Sequence, residues 1–191
     1  MRIREALQGK LTEKELMLVK RAFDMIGNIA ILDIPKGLMK KQKAVAEAVM
    51  KLNKQIKTVV KKKGVHTGEF RIQHVSYLAG ERTKETTHRE NGVMVKLDVG
   101  KCYFSPRLVT ERKRITELVK QGEEILVMFS GVGIYCVVLA KNTKAKEIVG
   151  IEKNPVAHVY AEENVLLNKA KNVQVYCGDV KNVVPKLKKA F

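Results

Sequence analysis

The sequence predicts an α/β protein: a small α/β domain, then the opening half of a doubly wound, Rossmann-like sheet. Three observations carry that expectation. From Glu123 onward strand-like and helix-like runs alternate: "ILVMF", "GIYCVVLAKN", "EIVGIE", "PVAHVYAEENVLLNKA" and "VQVYC". That rhythm builds parallel sheets with helical crossovers. A glycine turn, "FSGVG", joins the first of these strands to the first helix. Upstream, Val93, Val95, Leu97 and Val99 alternate with polar residues, the period of a half-buried strand.

Residues 1–22 read as a charged helical segment, with Leu11, Glu15, Leu18 and Val19 at helical spacing. "NIAILDIP" is a strand stopped by Pro35. "GLMKKQKAVAEAVMKLN" sets Leu38, Val45, Ala48, Val49 and Leu52 on one helical stripe. "IKTVVKKKG" and "GEFRIQHVSYLAGE" are extended, and residues 23–104 are grouped as one domain. Ser105-Pro106 opens a helix, a hydroxyl cap followed by a proline that fits the first turn. That helix is expected to bury Leu108, Ile115, Leu118 and Val119, leaving Arg107, Glu111 and Arg114 on its polar face. Residues 105–191 form the N-terminal half of the second domain, in which "NVVPKLKKAF" begins a last helix.

The 191 residues hold 37 Lys and Arg against 20 Asp and Glu, a formal charge of +17. Such an excess favours a polyanionic partner, because neutralised phosphates release counterions. Lys61, Lys62, Lys63, Arg82, Lys84 and Arg89 are candidate phosphate contacts. No apolar run approaches the ~20 residues of a membrane span. Cys102, Cys136 and Cys177 are widely separated, which favours a reducing, cytoplasmic setting without disulfides. The four histidines show no metal-ligand spacing.

In a doubly wound sheet the ligand lies beyond the C-terminal strand ends, near the first glycine turn. Gly131 and Gly133 permit close backbone approach there, but the dinucleotide pattern GxGxxG is absent. Glu152 ends the next strand, where a carboxylate can accept both ribose hydroxyls, and Asp179 ends the third. Two strand-end acids, with no basic residue at the helix start, favour S-adenosylmethionine over a nicotinamide dinucleotide. Asp179 is equally placed to cap a helix.

The runs "THRENGVMVKLDVGKCYFSPRLVTERKR", "MFSGVG", "IEKNP" and "EENVLLNKAKNVQVYCGDV" resemble the archaeal and eukaryotic tRNA guanine-N1 methyltransferases. That family modifies the purine 3′ of the anticodon. The resemblance covers about Ile26 to Val180 and implies an RNA-facing α/β domain followed by a class I methyltransferase sheet. It implies that Glu111 is the general base and that Arg71 assists, with Tyr103 and Arg107 shaping the guanine pocket. It implies that Arg112, Phe129, Gly131, Gly133, Glu152, Lys153, Asp179 and Val180 meet S-adenosylmethionine. On this reading a buried Glu111 has a raised pKa, takes the N1 proton, and has Arg107 as its neighbour on one helical face. Alternatives are a tRNA-binding remnant without catalysis and a sister enzyme that transfers an aminocarboxypropyl group in wybutosine synthesis.

The sequence departs from the family pattern in three places. Only about twenty residues precede the small α/β domain, where the family carries an extra domain. Val127 stands where "DMF" would put an aspartate. No asparagine-proline motif follows the third strand. An apolar sheet edge is therefore expected to be completed by a longer chain, by a second chain, or by self-association.

Overall fold

The computed structural model describes residues 3–191. Its N-terminal segment is not one helix. A 3-10 turn at Glu5–Leu7 and helix α1, Glu13–Leu18, are separated by Gly9 at φ +75°. Thr12 restarts the helix through a capping box with Glu15. Leu7, Leu11, Leu16 and Val19 are buried, whereas Leu18 is exposed.

Four strands follow in spatial order: β1 (Asp24–Ile26), β2 (Ile29–Leu32), β3 (Thr58–Lys62) and β4 (Val75–Gly80). The β2–β3 pair is parallel, because a 3-10 turn at Lys36–Lys41 and helix α2, Gln42–Leu52, cross between them. Val45, Ala48 and Val49 of α2 are buried in the core beneath the sheet. The predicted stripe is therefore present, with Leu52 at its half-buried margin.

Strands β5 (Glu85–Glu90) and β6 (Val93–Asp98) form a hairpin turned by Asn91 and Gly92, both at positive φ. Asn-Gly is the preferred pair for such a two-residue turn. Sequence groups this hairpin with the first domain. Strand β5 is bonded to the Gly27–Asn28 turn of that domain, while β6 packs on helix α5 (Pro155–Leu167) in the second half of the chain. That helix and the residue that ends it place Asn164 and Asn168 along β6. Asn164 accepts from the Lys96 N–H and donates to the Lys96 carbonyl. Asn168 does the same at Met94. Two side-chain amides thus satisfy the backbone of an edge strand, which would otherwise be an open pairing site. Asn164 is fully buried and donates also to the Val132 carbonyl.

The last sheet is parallel, in order β7 (Glu124–Val127), β8 (Glu147–Glu152), β9 (Val173–Cys177). Helix α4 (Ile134–Asn142) and α5 are its crossovers, and α6 (Val180–Leu187) follows β9. Helix α3, Val109–Leu118, packs on α4. Its inner face differs from the predicted one: Leu108 and Leu118 are exposed, and Arg112 is the residue it buries. The contact stripe runs through Arg112, Ile115 and Val119, because Arg112 has a buried carboxylate to meet. One apolar core runs from β2 and β3 through the hairpin to α4 and β8. Among the described residues no helix is long and apolar enough to cross a membrane.

A two-chambered candidate site around Tyr103

The glycine turn and Glu152 build the first chamber. Gly131 and Gly133 both adopt positive φ, +57° and +77°. A Cβ on Gly133 would lie 3.1 Å from that of Ala161, so the turn also needs the space. One Glu152 oxygen accepts the Gly131 N–H at 2.7 Å, and the other accepts the Asn154 N–H at 2.7 Å. The carboxylate is thereby fixed at the strand end with lone pairs still to offer. Asn154 caps α5 and donates from its side chain to the Lys101 carbonyl, tethering the segment before Tyr103. The chamber, about 320 Å³, is lined by Arg71, Tyr103, Phe129, Gly131, Glu152 and Asn154 among others. Phe129 is 80% exposed. Lys153 pairs with Asp179 at 2.9 Å and with Glu69, another lining residue. Asp179 caps α6 by accepting from Lys181 N–H, and Val180 is the first residue of that helix.

The second chamber, about 170 Å³, is lined by Asp24, Lys62, His66, Gln73, Tyr103, Phe104 and Arg107 among others. One oxygen of Asp24 accepts both Nε and Nη2 of Arg107 at 2.8 Å, and the other accepts Lys62 Nζ at 2.9 Å. Partial burial pushes the Asp24 carboxyl up, but the Lys62 and Arg107 bonds outweigh it and leave it below its ordinary value. Tyr103 lines both chambers. Arg71 stacks over its ring at 5.7 Å, and His66 meets the ring edge-on at 5.6 Å. Arg71 holds a positive φ of 50°, uncommon for a residue with a Cβ, in the tight turn closed by its N–H to Gly68.

A buried charge cluster stands behind this wall. Arg112, 2% exposed, donates twice to Glu90 at 2.5 and 2.7 Å and once to the Ser105 carbonyl at 3.0 Å. Its guanidinium also faces the Phe104 and Tyr135 rings. His88 Nδ1 accepts the Gly27 N–H, so the ring proton sits on Nε2, 3.3 Å from Glu90. Burial pushes Glu90 up, and the His88 and Arg112 bonds bring it below the usual range.

The residues expected at the site divide accordingly. Arg71, Tyr103, Phe129, Gly131 and Glu152 share one chamber, and Lys62, Tyr103 and Arg107 share the other. Glu111 lines neither. Its carboxylate takes a two-bond fork from Arg114 at 2.7 and 2.8 Å, which holds it below its ordinary pKa, not above. The expected Arg107–Glu111 pairing is replaced by Arg107–Asp24 and Arg114–Glu111. Arg112, expected at the cofactor, is enclosed by Glu90 and Ser105. Of the expected phosphate contacts, Lys62 is committed to Asp24, Lys61 donates to Gln42, and Arg82 covers the Tyr77 ring. Lys63, Lys84 and Arg89 are exposed.

Sequence reading missed Asp24, His88, Glu90 and Asn154. The Asn-Pro at a strand-to-helix join is a capping signal that could have found Asn154. Nothing local marks Asp24, whose partner Arg107 is 83 positions away.

Comparison with known proteins gives this geometry relatives. Residues 86–190 match the model of the TRM5/TYW2 methyltransferase domain, and residues 3–83 match that of the TYW2 N-terminal domain. The tRNA (guanine(37)-N(1))-methyltransferase Trm5b of Pyrococcus abyssi is 44% identical over 162 residues, 85% of this chain and 48% of that protein. The tRNA(Phe) (4-demethylwyosine(37)-C(7)) aminocarboxypropyltransferase of Methanocaldococcus jannaschii is 44% identical over 117 residues, 61% of this chain and 47% of that protein. The chain spans about half the length of these relatives. Among solved structures, the complex of aTrm5 and tRNALeu superposes with a TM-score of 0.82 at 33% identity, covering 92% of this chain and 53% of that one. M. jannaschii TYW2 in complex with AdoMet superposes with a TM-score of 0.60 at 30% identity, covering 83% and 57%. The chain belongs to the TRM5/TYW2 methyltransferase family.

Proposed function

We propose that this chain carries the cofactor and base chambers of a tRNA methyltransferase that uses S-adenosylmethionine on guanosine N1, 3′ of the anticodon. The observation that carries the reading is Tyr103, a single wall between a glycine-turn chamber and a cation-lined one. The first chamber suits an adenosyl group. Glu152 offers fixed acceptors for a ribose diol, and the glycine turn and first turn of α4 carry no basic residue of their own for a pyrophosphate. When bound, S-adenosylmethionine supplies an electrophilic methyl group. The chain's own residues must supply the rest.

Guanine N1 carries a proton at neutral pH and must lose it as it attacks. Glu111 is the acceptor in this reading, and it becomes available once the Arg114 fork opens. Charge then develops on O6, where the Arg107 guanidinium is the donor. Val127 leaves the methionine end of the cofactor without the carboxylate seen in the family pattern.

Calorimetry with S-adenosylmethionine, then transfer to an unmodified tRNA transcript with nucleoside analysis, tests the reading. Glu111→Gln should keep both binding steps and lose transfer by about 10²-fold or more, the usual scale for a general base. An undiminished single-turnover rate in that variant contradicts the assignment. The match of residues 3–83 to the TYW2 N-terminal domain favours a second reading, transfer of an aminocarboxypropyl group from the same cofactor. The modified nucleoside separates the two, and tRNA binding without any transfer would support a non-catalytic role.

Among the described strands β7 pairs with β8 alone, and its Ile125 and Val127 are half-buried. In our reading the remainder of a longer chain, a second chain or a second copy adds at that edge. Light scattering at micromolar concentration should then show association, and a strict monomer contradicts it.

A further inference from the structure

Two carboxylates are candidate partners for Arg107. Glu111 lies four residues on, a spacing at which opposite charges pair along a helix. Asp24 lies in another strand, 83 positions away in sequence. The arginine is bound to Asp24. A short 3-10 turn at Pro106–Leu108 precedes α3, and Asp24 reaches it from β1. The anchor is firm on one side only: the Asp24 side chain is 16% exposed, that of Arg107 74%. Among the described residues Asp24 is the sole carboxylate lining the smaller chamber. With Lys62 and Arg107 it leaves one net positive charge at that wall.

We propose that Asp24 is a positioning residue, holding Arg107 and Lys62 at the rim of the base chamber and keeping Arg107 away from Glu111. The proposal rests on the methyl-transfer reading above. Negative charge developing on guanine O6 needs a guanidinium that is already oriented, since reorienting it during reaction would forfeit the stabilisation. An Arg107 released from Asp24 would have Glu111, four residues on, as an alternative acid. The donor would then leave the chamber, and the proton acceptor would gain a second cation to compete with. Arg114 already occupies Glu111, so the four charged side chains are sorted into two separate sets.

The test uses Asp24→Asn, which keeps the shape and removes the charge, and Asp24→Glu, which keeps the charge. Nitrogen-15 spectra of the chain should show the Arg107 Nε–H as a slowly exchanging signal, identified by its loss in Arg107→Lys. Asp24→Asn should broaden or shift it, and Asp24→Glu should restore it. An Arg107 signal indifferent to Asp24→Asn overturns the proposal, whatever the enzyme's activity. In single-turnover transfer, Asp24→Asn should slow the chemical step about 10- to 100-fold while tRNA affinity stays within about threefold. Added to Arg107→Ala, the same substitution should cost little more, and fully additive losses would also overturn it. Absence of transfer by the unsubstituted chain would sink the methylation reading and leave Asp24 to be judged by the spectrum.

Discussion

The two chambers beside Tyr103 are built by opposite means. The first is a product of short range: a glycine turn, the carboxylate at the end of the adjoining strand, and the asparagine two residues later. Parallel strands put such residues together wherever the fold forms. The second chamber is assembled across the chain, by Asp24 with Lys62 and Arg107 and by the Glu90–Arg112 pair behind Phe104. Its walls therefore depend on charges meeting, while the glycine-turn side of the first depends on backbone shape. The two should fail differently when cut.

The largest effect is expected at the buried pair. Glu90→Ala leaves Arg112 charged, 2% exposed and without its carboxylate, and removes the partner of His88. Loss of one member of a buried pair costs about 3–5 kcal/mol. For a chain of this size that lowers Tm by about 6–20 °C. Because Arg112 also holds the Ser105 carbonyl, the Asp24 chamber should loosen more than the Glu152 chamber. Thermal unfolding with and without S-adenosylmethionine reads both effects. A shift below about 2 °C would mean that the cluster is not what supports this wall.

A cut on the other side is smaller and purely steric. Gly133→Ala places a side chain at φ +77° and within 3.1 Å of Ala161. The positive φ alone costs about 1–2 kcal/mol. Affinity for S-adenosylmethionine should fall in this variant, while the slowly exchanging Arg107 signal stays in place. Loss of both together would show that the chambers are not separable.

What sequence could show follows the same division. The alternating pattern from Glu123, the Val93–Leu97 alternation and the α2 stripe are local periodicities, and each is present. Gly131 and Glu152 line one chamber because the fold fixes their spacing. Asp179 met its bland reading as a helix cap as well as a bond to Lys153. The polar face of α3 misled. Arg107, Glu111 and Arg114 are correctly spaced to interact, but spacing along one helix cannot reveal a better acid in β1. Arg112 misled for the same reason, since only tertiary structure supplies the Glu90 that pulls it inside. The packing of β6 on α5 was not legible because the two asparagines that bind it come some 70 positions later.

The smallest expected effect on stability comes from Arg114→Ala, and it bears most directly on chemistry. The Arg114–Glu111 pair is solvent-exposed, where ion pairs contribute little, so Tm at neutral pH should not move measurably. The Arg114 bonds depress the Glu111 pKa in the folded chain. A depressed carboxyl contributes stability above its unfolded value, 4.5 here, and loses it as pH falls through the folded value. Any difference between parent and variant should therefore vanish in acid, not at alkaline pH. Carbon-13 titration of the Glu111 carboxyl should show its pKa rising toward the ordinary value in Arg114→Ala. The acid limb of the transfer rate should rise with it if Glu111 is the proton acceptor, since that limb reports the essential base. A Glu111 titration that ignores Arg114 would place the carboxylate outside the fork in solution. The base would then be free before tRNA arrives, and Asp24 alone would be left to decide which acid Arg107 meets.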